Sequence, residues 1–520
     1  MVISNSMKSS ARVFVRNLVA NWVGHGANLL VMFFLSPFIL HTLGQTQYGI
    51  WQLLTVVTGY MGILDLGVRA STGRYIILYL GKEDHAKVDE TIRTGLGMYT
   101  AVGGLIFVTG CIFGVVFPEI FPSVPQQHHR TVAFLLPILA INIWISAFRT
   151  VLSSVLAAHE RFDLARSSDL VMLGIRTVGT IVVLKFGFAL VGLTAAVVGS
   201  NIIGLLVNLS MAKKVHPELQ LWPLALNHER VRELFNYGIG AFIIAVSLKV
   251  IGQTDLVIVG NLINVSAVAV YSVGAMLLYY SETFLSQIST TLFPPLQQAV
   301  ARGEKGSTRW LFFRQVRLAM IFGILMYVGF FAFGKSFIRL WMYHPETFPM
   351  ESVRQAAHVM MVLSGSKLLL LFSFGARPLL SATGHIRFAA QMTVVEALTN
   401  LTLSILFVLV FRWGLAGVAA GTLFARLITQ TFILPPYACR RANIQWSKYL
   451  LIIGGGSFSV AGIFLLICYG IQLVLPARNW IEFLTEVAVA TAFYAPVAVF
   501  VLLPSTDRSR LKLKLRGILL

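Results

Sequence analysis

Residues 157–170 read AAHERFDLARSSDL, a short charged interruption between two long apolar runs. A similar interruption, ATGHIRFAAQMTVV, occupies residues 382–395, so that one His-x-Arg-Phe phrase recurs 226 residues later. The likeness continues beyond it, because FGFALVGLTAA at 186–196 matches FRWGLAGVAAG at 411–421 with an offset of 225. A weaker match joins QYGIW near the start of the chain to VYSVG near its middle. Matches in the same order with nearly the same offset indicate a duplicated unit.

The chain is too apolar for a soluble protein of its length. Hydrophobic residues make up 57% of it, charged residues 12%, and the mean hydropathy is +0.78. Apolar runs of about 20 residues, the length that crosses a bilayer core, recur along the chain. Lipid offers no partner for backbone polar groups, so these runs are predicted to be helices. Fourteen spans are predicted near 17–41, 47–70, 94–117, 132–156, 165–186, 189–211, 236–259, 267–291, 311–333, 355–378, 388–410, 415–437, 449–474 and 481–503.

The basic residues indicate the orientation of the predicted spans. Of the 41 lysines and arginines, 29 lie at the termini and in even-to-odd connections, 7 in odd-to-even connections and 5 inside spans. Cytoplasmic loops retain positive charge, so both termini are predicted to face the cytoplasm. The net charge of +20 is therefore mainly a topology signal. Nucleic-acid binding is a poor interpretation, because the basic residues are dispersed over short loops without interleaved aromatic residues.

The duplication and the spans together predict the fold class and the domains. The fold is predicted to be that of an all-α polytopic membrane protein with two six-helix lobes repeated in parallel and two extra C-terminal helices. Lobes repeated in this way are related by an axis along the membrane normal, and the substrate is expected between them. The predicted segments are an N-terminal lobe at 1–212, a cytoplasmic amphipathic linker at 213–234, a C-terminal lobe at 235–440, two additional helices at 441–505 and a basic cytoplasmic tail at 506–520.

Three stretches carry a resemblance to a known family: SPFILHTLGQTQYGIWQLL at 36–54, GILDLGVRASTGRYI at 62–76 and VRELFNYGIGAF at 231–242. They are similar to signatures of the Wzx-type polysaccharide-biosynthesis flippases of the multidrug/oligosaccharidyl-lipid/polysaccharide exporter superfamily. The resemblance covers nearly the whole chain. It implies a flippase that moves an undecaprenyl-diphosphate-linked oligosaccharide, such as an O-antigen or exopolysaccharide unit, from the cytoplasmic to the outer leaflet of a bacterial inner membrane by alternating access. Among the partners that it implies are a glycan polymerase and chain-length machinery.

Basic residues inside the predicted spans point independently to an anionic cargo. Each costs about 3 kcal/mol at the bilayer centre, so most of them should face a hydrated cavity or a carboxylate. The candidate acidic partners Asp255, Glu282 and Glu396 are fewer, and the excess of positive charge suits a diphosphate. The alternative is that every cation is paired internally and only holds helices together. The predicted substrate-binding cations are Arg149, Arg176, Lys249, Lys367 and Arg426.

Polar stripes extend this predicted site. In span 1, Asn21, His25 and Asn28 share one helix face, and Glu282 lies on a similar stripe in span 8. These four residues are predicted to contribute to substrate binding. The alternative is that such side chains hold neighbouring helices together through hydrogen bonds.

A coupling ion is the expected energy source, because the sequence contains no nucleotide-binding motif and predicts no other cofactor. Asp255 in span 7, with Glu396 and Asn400 on one face of span 11, is predicted to form a site for Na⁺ or H⁺. The resemblance favours this interpretation, since related flippases place a sodium site among these helices. A structural ion pair with Lys249 or Arg426 is the alternative.

Two other function classes also fit a polytopic helical protein. A small-molecule exporter of the same superfamily would need an acidic, aromatic cavity, whereas cations predominate here. A glycan polymerase or ligase would need a large outer loop with catalytic groups, and the longest outer loop, near 334–354, offers few of them. No nucleophile–base motif or phosphate loop is present, and the three cysteines lack metal-ligand spacing. The sequence therefore predicts a transporter with neither catalytic residues nor a metal site.

Overall fold

The computed structural model describes residues 2–65, 68–222, 224, 227–504 and 507–508. Within these ranges, side chains are described outside 2–23, 25, 65, 69–70, 236–245, 247–248 and 250–251. The described part of the chain is almost entirely helical, and its one bridge between extended residues joins His344 to Phe348. It divides into two compact units, unit 1 (Met1–Lys249 and Asn264–Ser266) and unit 2 (Val250–Ile263 and Ala267–Leu520).

Unit 1 contains the first six helices and most of the seventh. The helices are α1 (Val2–Met61), α2 (Val68–Leu80), α3 (His85–Ile120), α4 (Gln126–Ala158), α5 (Phe162–Lys185), α6 (Ala189–Val215) and α7 (His228–Leu262), with a 3₁₀ turn at Gly62–Asp65.

Unit 2 contains the end of α7 and the remaining helices. They are α8 (Val265–Ala301), α9 (Lys305–Met342), α10 (Met350–Phe372), α11 (Ala376–Ala382), α12 (Ile386–Leu409), α13 (Gly414–Arg426), α14 (Leu434–Arg441), α15 (Trp446–Tyr449), α16 (Gly456–Val474) and α17 (Trp480–Leu502). Two π-helical segments, Leu427–Ile433 and Leu450–Gly455, join α13 to α14 and α15 to α16.

The helices confirm the predicted fold class, an all-α polytopic membrane protein, but not the predicted count of spans. Twelve helical stretches among the described residues are long and apolar enough to cross a membrane. Predicted spans 3–6 and 8–14 each coincide with one of them. The first two predicted spans fall together in the stretch Gly26–Leu64, and α7, which covers the seventh, is not among the twelve. The count of fourteen is therefore not confirmed.

The boundary that the sequence predicts between spans 1 and 2 is a kink, not a loop. Gly44 interrupts α1 with a φ of 74° and a ψ of 169°, values outside the helical region. Only glycine adopts a positive φ of this kind without steric cost. Because 60 residues of helix measure about 90 Å at 1.5 Å per residue, α1 is much longer than one bilayer crossing. The change of direction at Gly44 lets one helix supply two spans.

The repeated sequence adopts a repeated backbone. Gly187 and Ala189, which precede and begin α6, have positive φ angles of 80° and 43°. Arg412 and Gly414, which lie 225 residues later and lead into α13, both have a φ of 56°. The offset equals the one between the matching sequence stretches. A left-handed turn with this spacing is rare for residues other than glycine, so its recurrence supports the predicted duplication.

Helices in unit 1 pack closely where glycines face large side chains. A Cβ atom added to Gly103 on α3 would lie 2.4 Å from the Trp144 side chain on α4, so no larger residue fits there. Below this contact the core is built from apolar residues of α2, α3, α4 and α6, including Ile92, Leu96, Val151, Leu152, Val155, Leu156 and Ala212. This part of unit 1 is an apolar core with few buried charges.

The π-helical segment Leu427–Ile433 has a cause in the sequence that follows it. Pro435 and Pro436 have no backbone N–H, so they cannot donate to the carbonyls one turn earlier. The helix widens before them, which is a common form of local distortion near functional sites. The sequence predicts an uninterrupted span here. The widened turn carries Thr429 and Gln430, both fully buried.

Candidate functional site

Unit 2 contains a set of polar side chains between its helices, all of them buried except Glu282. They come from the end of α7 and from α8, α10, α12, α13 and the first π-helical segment. The set consists of Asp255, Tyr271, Glu282, Ser366, Lys367, Glu396, Asn400, Ser404, Thr422, Arg426, Thr429 and Gln430. Buried polar groups are costly unless they are hydrogen-bonded, so the pattern of partners decides what the set can do.

Asp255 is the centre of the first cluster. Its Oδ2 accepts hydrogen bonds from the Tyr271 hydroxyl at 2.6 Å and from the Thr422 hydroxyl at 3.0 Å. Asn400 donates from Nδ2 to Thr422 at 2.9 Å, and its Oδ1 accepts from Ser404 at 3.0 Å. Asp255 is 5% exposed, and its Oδ1 has no hydrogen-bond partner among the described residues. The cluster therefore presents a buried carboxylate oxygen that can still take a cation or a proton.

Glu396 and Arg426 form the second cluster. Arg426 donates from Nε to Glu396 Oε1 at 3.3 Å and from Nη1 to the Ser366 hydroxyl at 3.0 Å. Glu396 Oε2 accepts from Thr429 at 3.2 Å and from Gln430. The side chains of Glu396 and Arg426 are 3% and 8% exposed. A buried ion pair is tolerated when its remaining hydrogen-bonding capacity is satisfied, as it is here.

Lys367 and Glu282 form a second ion pair of different character. Lys367 Nζ donates to Glu282 Oε2, and it also lies 5.7 Å from the centre of the Tyr279 ring. The lysine side chain is 6% exposed, whereas that of Glu282 is 42% exposed. One partner is thus enclosed by the protein while the other can be hydrated. The carboxylate can leave the lysine at lower cost than Glu396 can leave Arg426.

These pairs correct one step of the sequence argument. Lys367 and Arg426 each have a carboxylate partner within unit 2, so these two cations are not part of the surplus of positive charge that the sequence argument expected. Arg149 in unit 1 is also paired, since its Nη1 lies 2.9 Å from Oδ1 of Asp169, a partner that the sequence argument missed. Whether any of these cations binds substrate stays a prediction.

The other predicted substrate residues lie in unit 1. Arg176 on α5 and Lys249 on α7 are half-buried, and Asn28 on α1 is exposed. The side chains of Asn21 and His25 lie outside the described residues.

Of the predicted ion-coupling residues, the structure brings two into one cluster. Asp255 and Asn400 share a hydrogen-bond partner, Thr422, whereas Glu396 belongs to the neighbouring cluster with Arg426. The sequence argument missed Thr422 and Gln430, although with Arg426 they recur every four residues along one face of the predicted span. Tyr271 belongs to VYSVG, one of the repeated stretches of the sequence. Its bond to Asp255 could not be read from spacing, because the two residues lie on different helices.

Comparison with known proteins finds a family and two named relatives to which the chain is similar. Residues 99–343 match the model of a family described as polysaccharide biosynthesis protein. The match covers just under half of the chain. A protein of Shigella flexneri named as an O-antigen transporter is 24% identical to this chain over 294 residues, which are 54% of this chain and 66%, just under two thirds, of the relative. A Haloferax volcanii protein named as a low-salt glycan biosynthesis flippase is 23% identical over 419 residues, covering 79% of this chain and 80% of the relative.

Solved structures show the same fold at low sequence identity. The lipid II flippase MurJ in an inward closed conformation superposes with a TM-score of 0.71 and 13% identity, covering 94% of this chain and 98% of that one. An inward-facing multidrug resistance transporter of the MATE family in the MOP superfamily gives a TM-score of 0.70 at 14% identity, covering 79% and 94% of the two chains. The chain therefore has the fold of these solved transporters.

Proposed function

We propose that the protein is a flippase for an undecaprenyl-diphosphate-linked oligosaccharide, which it moves from the cytoplasmic to the outer leaflet by alternating access. The observation that carries this proposal is the Lys367–Glu282 pair, a buried lysine in mid-helix whose carboxylate partner is 42% exposed. The names of the relatives, an O-antigen transporter and a glycan flippase, support the class of cargo. A bacterial inner-membrane location, cytoplasmic termini and contacts with a glycan polymerase and chain-length machinery are parts of the same proposal.

The pair provides a way to bind a diphosphate without holding it too tightly. A phosphate oxygen takes the place of the Glu282 carboxylate on Lys367 Nζ, and the displaced carboxylate is hydrated because it is already partly exposed. When the carboxylate returns, it competes for the lysine and releases the phosphate. An ammonium suits this exchange, since it is a mobile point charge and not a rigid bidentate fork. Arg176, Lys249 and Arg426 are the further candidates for contact with the cargo.

The test is export of the glycan by cells that lack their own flippase and carry the full chain. Lys367→Gln should abolish export while the protein still reaches the membrane, and Lys367→Arg should retain more export than Lys367→Gln. Lys448→Gln, which removes an exposed lysine of the same unit, is the matched control. Normal export by Lys367→Gln would overturn the proposal.

Glu282→Gln tests the exchange itself. The amide cannot compete for Lys367 as an anion does, so the purified variant should bind a diphosphate lipid more tightly and move it more slowly. Unchanged affinity and unchanged rate would show that Glu282 does not compete with the cargo.

We also propose that Asp255 binds the coupling ion, Na⁺ or H⁺. The buried Asp255 Oδ1 without a hydrogen-bond partner among the described residues fits this role, and the oxygens of Thr422, Tyr271 and Asn400 lie in the same cluster. In proteoliposomes, Asp255→Asn should remove the dependence of transport on whichever gradient drives the wild type. Asp163→Asn, which changes an acidic residue at the start of α5, should leave it intact. Equal gradient dependence in both variants would contradict the proposal.

The distribution of charge disfavours a cation exporter. The three acids of the set, Asp255, Glu282 and Glu396, lie among three cations: Lys367 and Arg426 of the set, and Arg377, which lies 3.9 Å from Glu396. Among the described residues these groups therefore carry no surplus of negative charge. A cationic drug would have to meet Lys367 as well as Glu282, and the lysine would oppose its binding.

A further inference from the structure

A second basic site lies in unit 2, apart from the buried polar clusters. A cavity of about 470 Å³ is enclosed by the C-terminal end of α9, the N-terminal part of α10, the C-terminal end of α16 and the segment that leads into α17. Four basic side chains line it: Lys335 and Arg339 from α9, and Arg354 and His358 from α10. None of them takes part in the proposed transport mechanism.

The wall of this cavity is held by a buried acidic residue. Glu486 on α17 is 1% exposed, and its Oε1 accepts a hydrogen bond from the Ala477 backbone N–H at 2.7 Å. Arg339 donates to the carbonyl oxygen of the same Ala477. The loop between α16 and α17 is thus held by hydrogen bonds to both the N–H and the carbonyl oxygen of Ala477. Glu486 Oε2 has no hydrogen-bond partner among the described residues, so an acceptor is left over in the wall.

The charged side chains that line the cavity favour binding of an anion. Lys335, Arg339 and Arg354 carry permanent positive charges, whereas Glu486 is the single acidic residue that lines the cavity. Lys335 and His358 are exposed, and the Arg354 side chain is 59% exposed, with only a long contact of 3.5 Å to Glu351. These side chains are free to turn toward a ligand. Arginine and lysine side chains in such a group suit the oxygens of a phosphate.

The surroundings indicate that the phosphate belongs to a lipid. Trp341 and Trp480 both pack on Phe337 at this end of α9, and tryptophans at helix ends mark the level of the lipid headgroups. Beside the cavity, the outer surface of α16 is apolar, with Leu466 and Leu473 exposed by 73% and 87%. A headgroup in the cavity would leave its acyl chains against this surface. Basic pockets between membrane helices are a known form of headgroup site.

We propose that this cavity binds the phosphate headgroup of an anionic membrane lipid through Lys335, Arg354 and His358. Arg339 and Glu486 hold the wall through Ala477. The site would tie helices α9, α10, α16 and α17 to the surrounding lipid, separately from any cargo.

Native mass spectrometry of the full chain in an uncharged detergent, titrated with phosphatidylglycerol, tests this site. We expect one tightly retained lipid on the wild type and an affinity lower by about tenfold or more in the triple variant Lys335→Gln/Arg354→Gln/His358→Gln, because charge-assisted contacts are lost. Arg302→Gln is the matched control, since its side chain is 69% exposed and it too faces a nearby glutamate, at 3.9 Å. The single variant Arg354→Glu should weaken binding even if the triple variant is unstable.

Two competitors separate the sources of the phosphate. Inorganic phosphate and phosphatidylcholine should displace phosphatidylglycerol poorly, the first because it lacks acyl chains and the second because it carries no net charge. Equal retention of lipid by the wild type, the triple variant and Arg354→Glu would overturn the site. Displacement by inorganic phosphate at the same concentration as the lipid would overturn its assignment to a lipid. Because binding is measured without transport, either result is independent of the proposed flippase activity.

Discussion

Arg426 and Lys367 are both buried cations in unit 2 paired with a glutamate, but the two glutamates differ in exposure and in their other hydrogen bonds. Glu396 is 3% exposed and is held by Thr429 and Gln430 as well as by Arg426. Glu282 is 42% exposed, and Lys367 is the one cation in salt-bridge contact with it among the described residues. The first pair is a closed network whose separation is costly. The second can exchange one partner for water or for another anion, which is what transient binding requires.

Breaking the closed pair should have the largest effect. Arg426→Gln leaves Glu396 with only the longer contact to Arg377, at 3.9 Å, as a salt bridge among the described residues, so a loss of about 3 kcal/mol in the free energy of unfolding is expected. The buried thiols Cys439 and Cys468, both 0% exposed, report unfolding of unit 2 through their reaction with a maleimide dye on heating. The double variant Arg426→Met/Glu396→Gln should recover part of the loss, because neither charge remains. A single variant as stable as the wild type would mean that the pair contributes little.

The contact between α12 and α13 can be tested at one atom. A Cβ atom added to Gly421 would lie 2.1 Å from the Ser404 hydroxyl and 2.7 Å from its backbone nitrogen. Gly421→Ala must therefore push the two helices apart and disturb the Asn400–Ser404 bond, at a cost of about 1–3 kcal/mol. Gly462→Ala is the control, since a Cβ atom there meets nothing within 4 Å. Thermal unfolding curves of the two variants that coincide would contradict this packing argument.

Breaking the exchangeable pair should cost less stability. In Lys367→Gln the Glu282 carboxylate loses its cation but is 42% exposed, so a loss of about 1–2 kcal/mol in the free energy of unfolding is expected, smaller than for Arg426→Gln. The same dye assay compares the two variants directly. If Lys367→Gln is the more damaging substitution, the distinction between a closed and an exchangeable pair is wrong.

The sequence predicts the fold well where one physical constraint dominates. Apolar length is enough to place most helices, because a bilayer permits few alternatives. The repeated stretches predict a duplicated unit, and the paired left-handed turns at Gly187 and Arg412, seen in the structure, fit it. The kink at Gly44 is different, because a run of polar residues and glycine is compatible with either a loop or a bend.

The candidate site is less predictable because partners come from different helices. The stripe of Glu396, Asn400 and Ser404 follows from helical spacing, and all three are buried as expected of one packed face. Which side chains form ion pairs does not follow from this spacing. Whether Lys367 meets Glu282 depends on how α8 packs on α10, and no spacing within either helix contains that information. The in-helix charges are therefore visible from the sequence, whereas their neutralisation is visible only in the structure.

The smallest expected effect on stability concerns the repeated His-x-Arg-Phe phrase, which contains His159 in one half of the chain and His385 in the other. His159, in the turn after α4, lies 5.4 Å from the His216 ring, and His216 also stacks on His85 at 5.9 Å and lies 3.7 Å from Asp89. Burial, and then the neighbouring His216 and His85, lower the pKa of His159 below its ordinary value of 6.5. His385, its counterpart in the other half, packs against Tyr437 instead of a second imidazole.

A lowered pKa means that the folded protein binds the proton less readily than the unfolded chain does. The lowered pKa of His159 therefore has no effect on stability at neutral pH. The free energy of unfolding falls as the pH drops below about 6.5 toward the lowered folded-state pKa. His159→Gln should reduce the loss of thermal stability between about pH 7.5 and about pH 5.5, followed by circular dichroism, since glutamine does not titrate there. His385→Gln is the matched control and should leave that loss as it is in the wild type. If both variants behave alike, the histidine cluster of unit 1 does not distinguish the two copies of the phrase, and their common role is only to end one helix and begin the next.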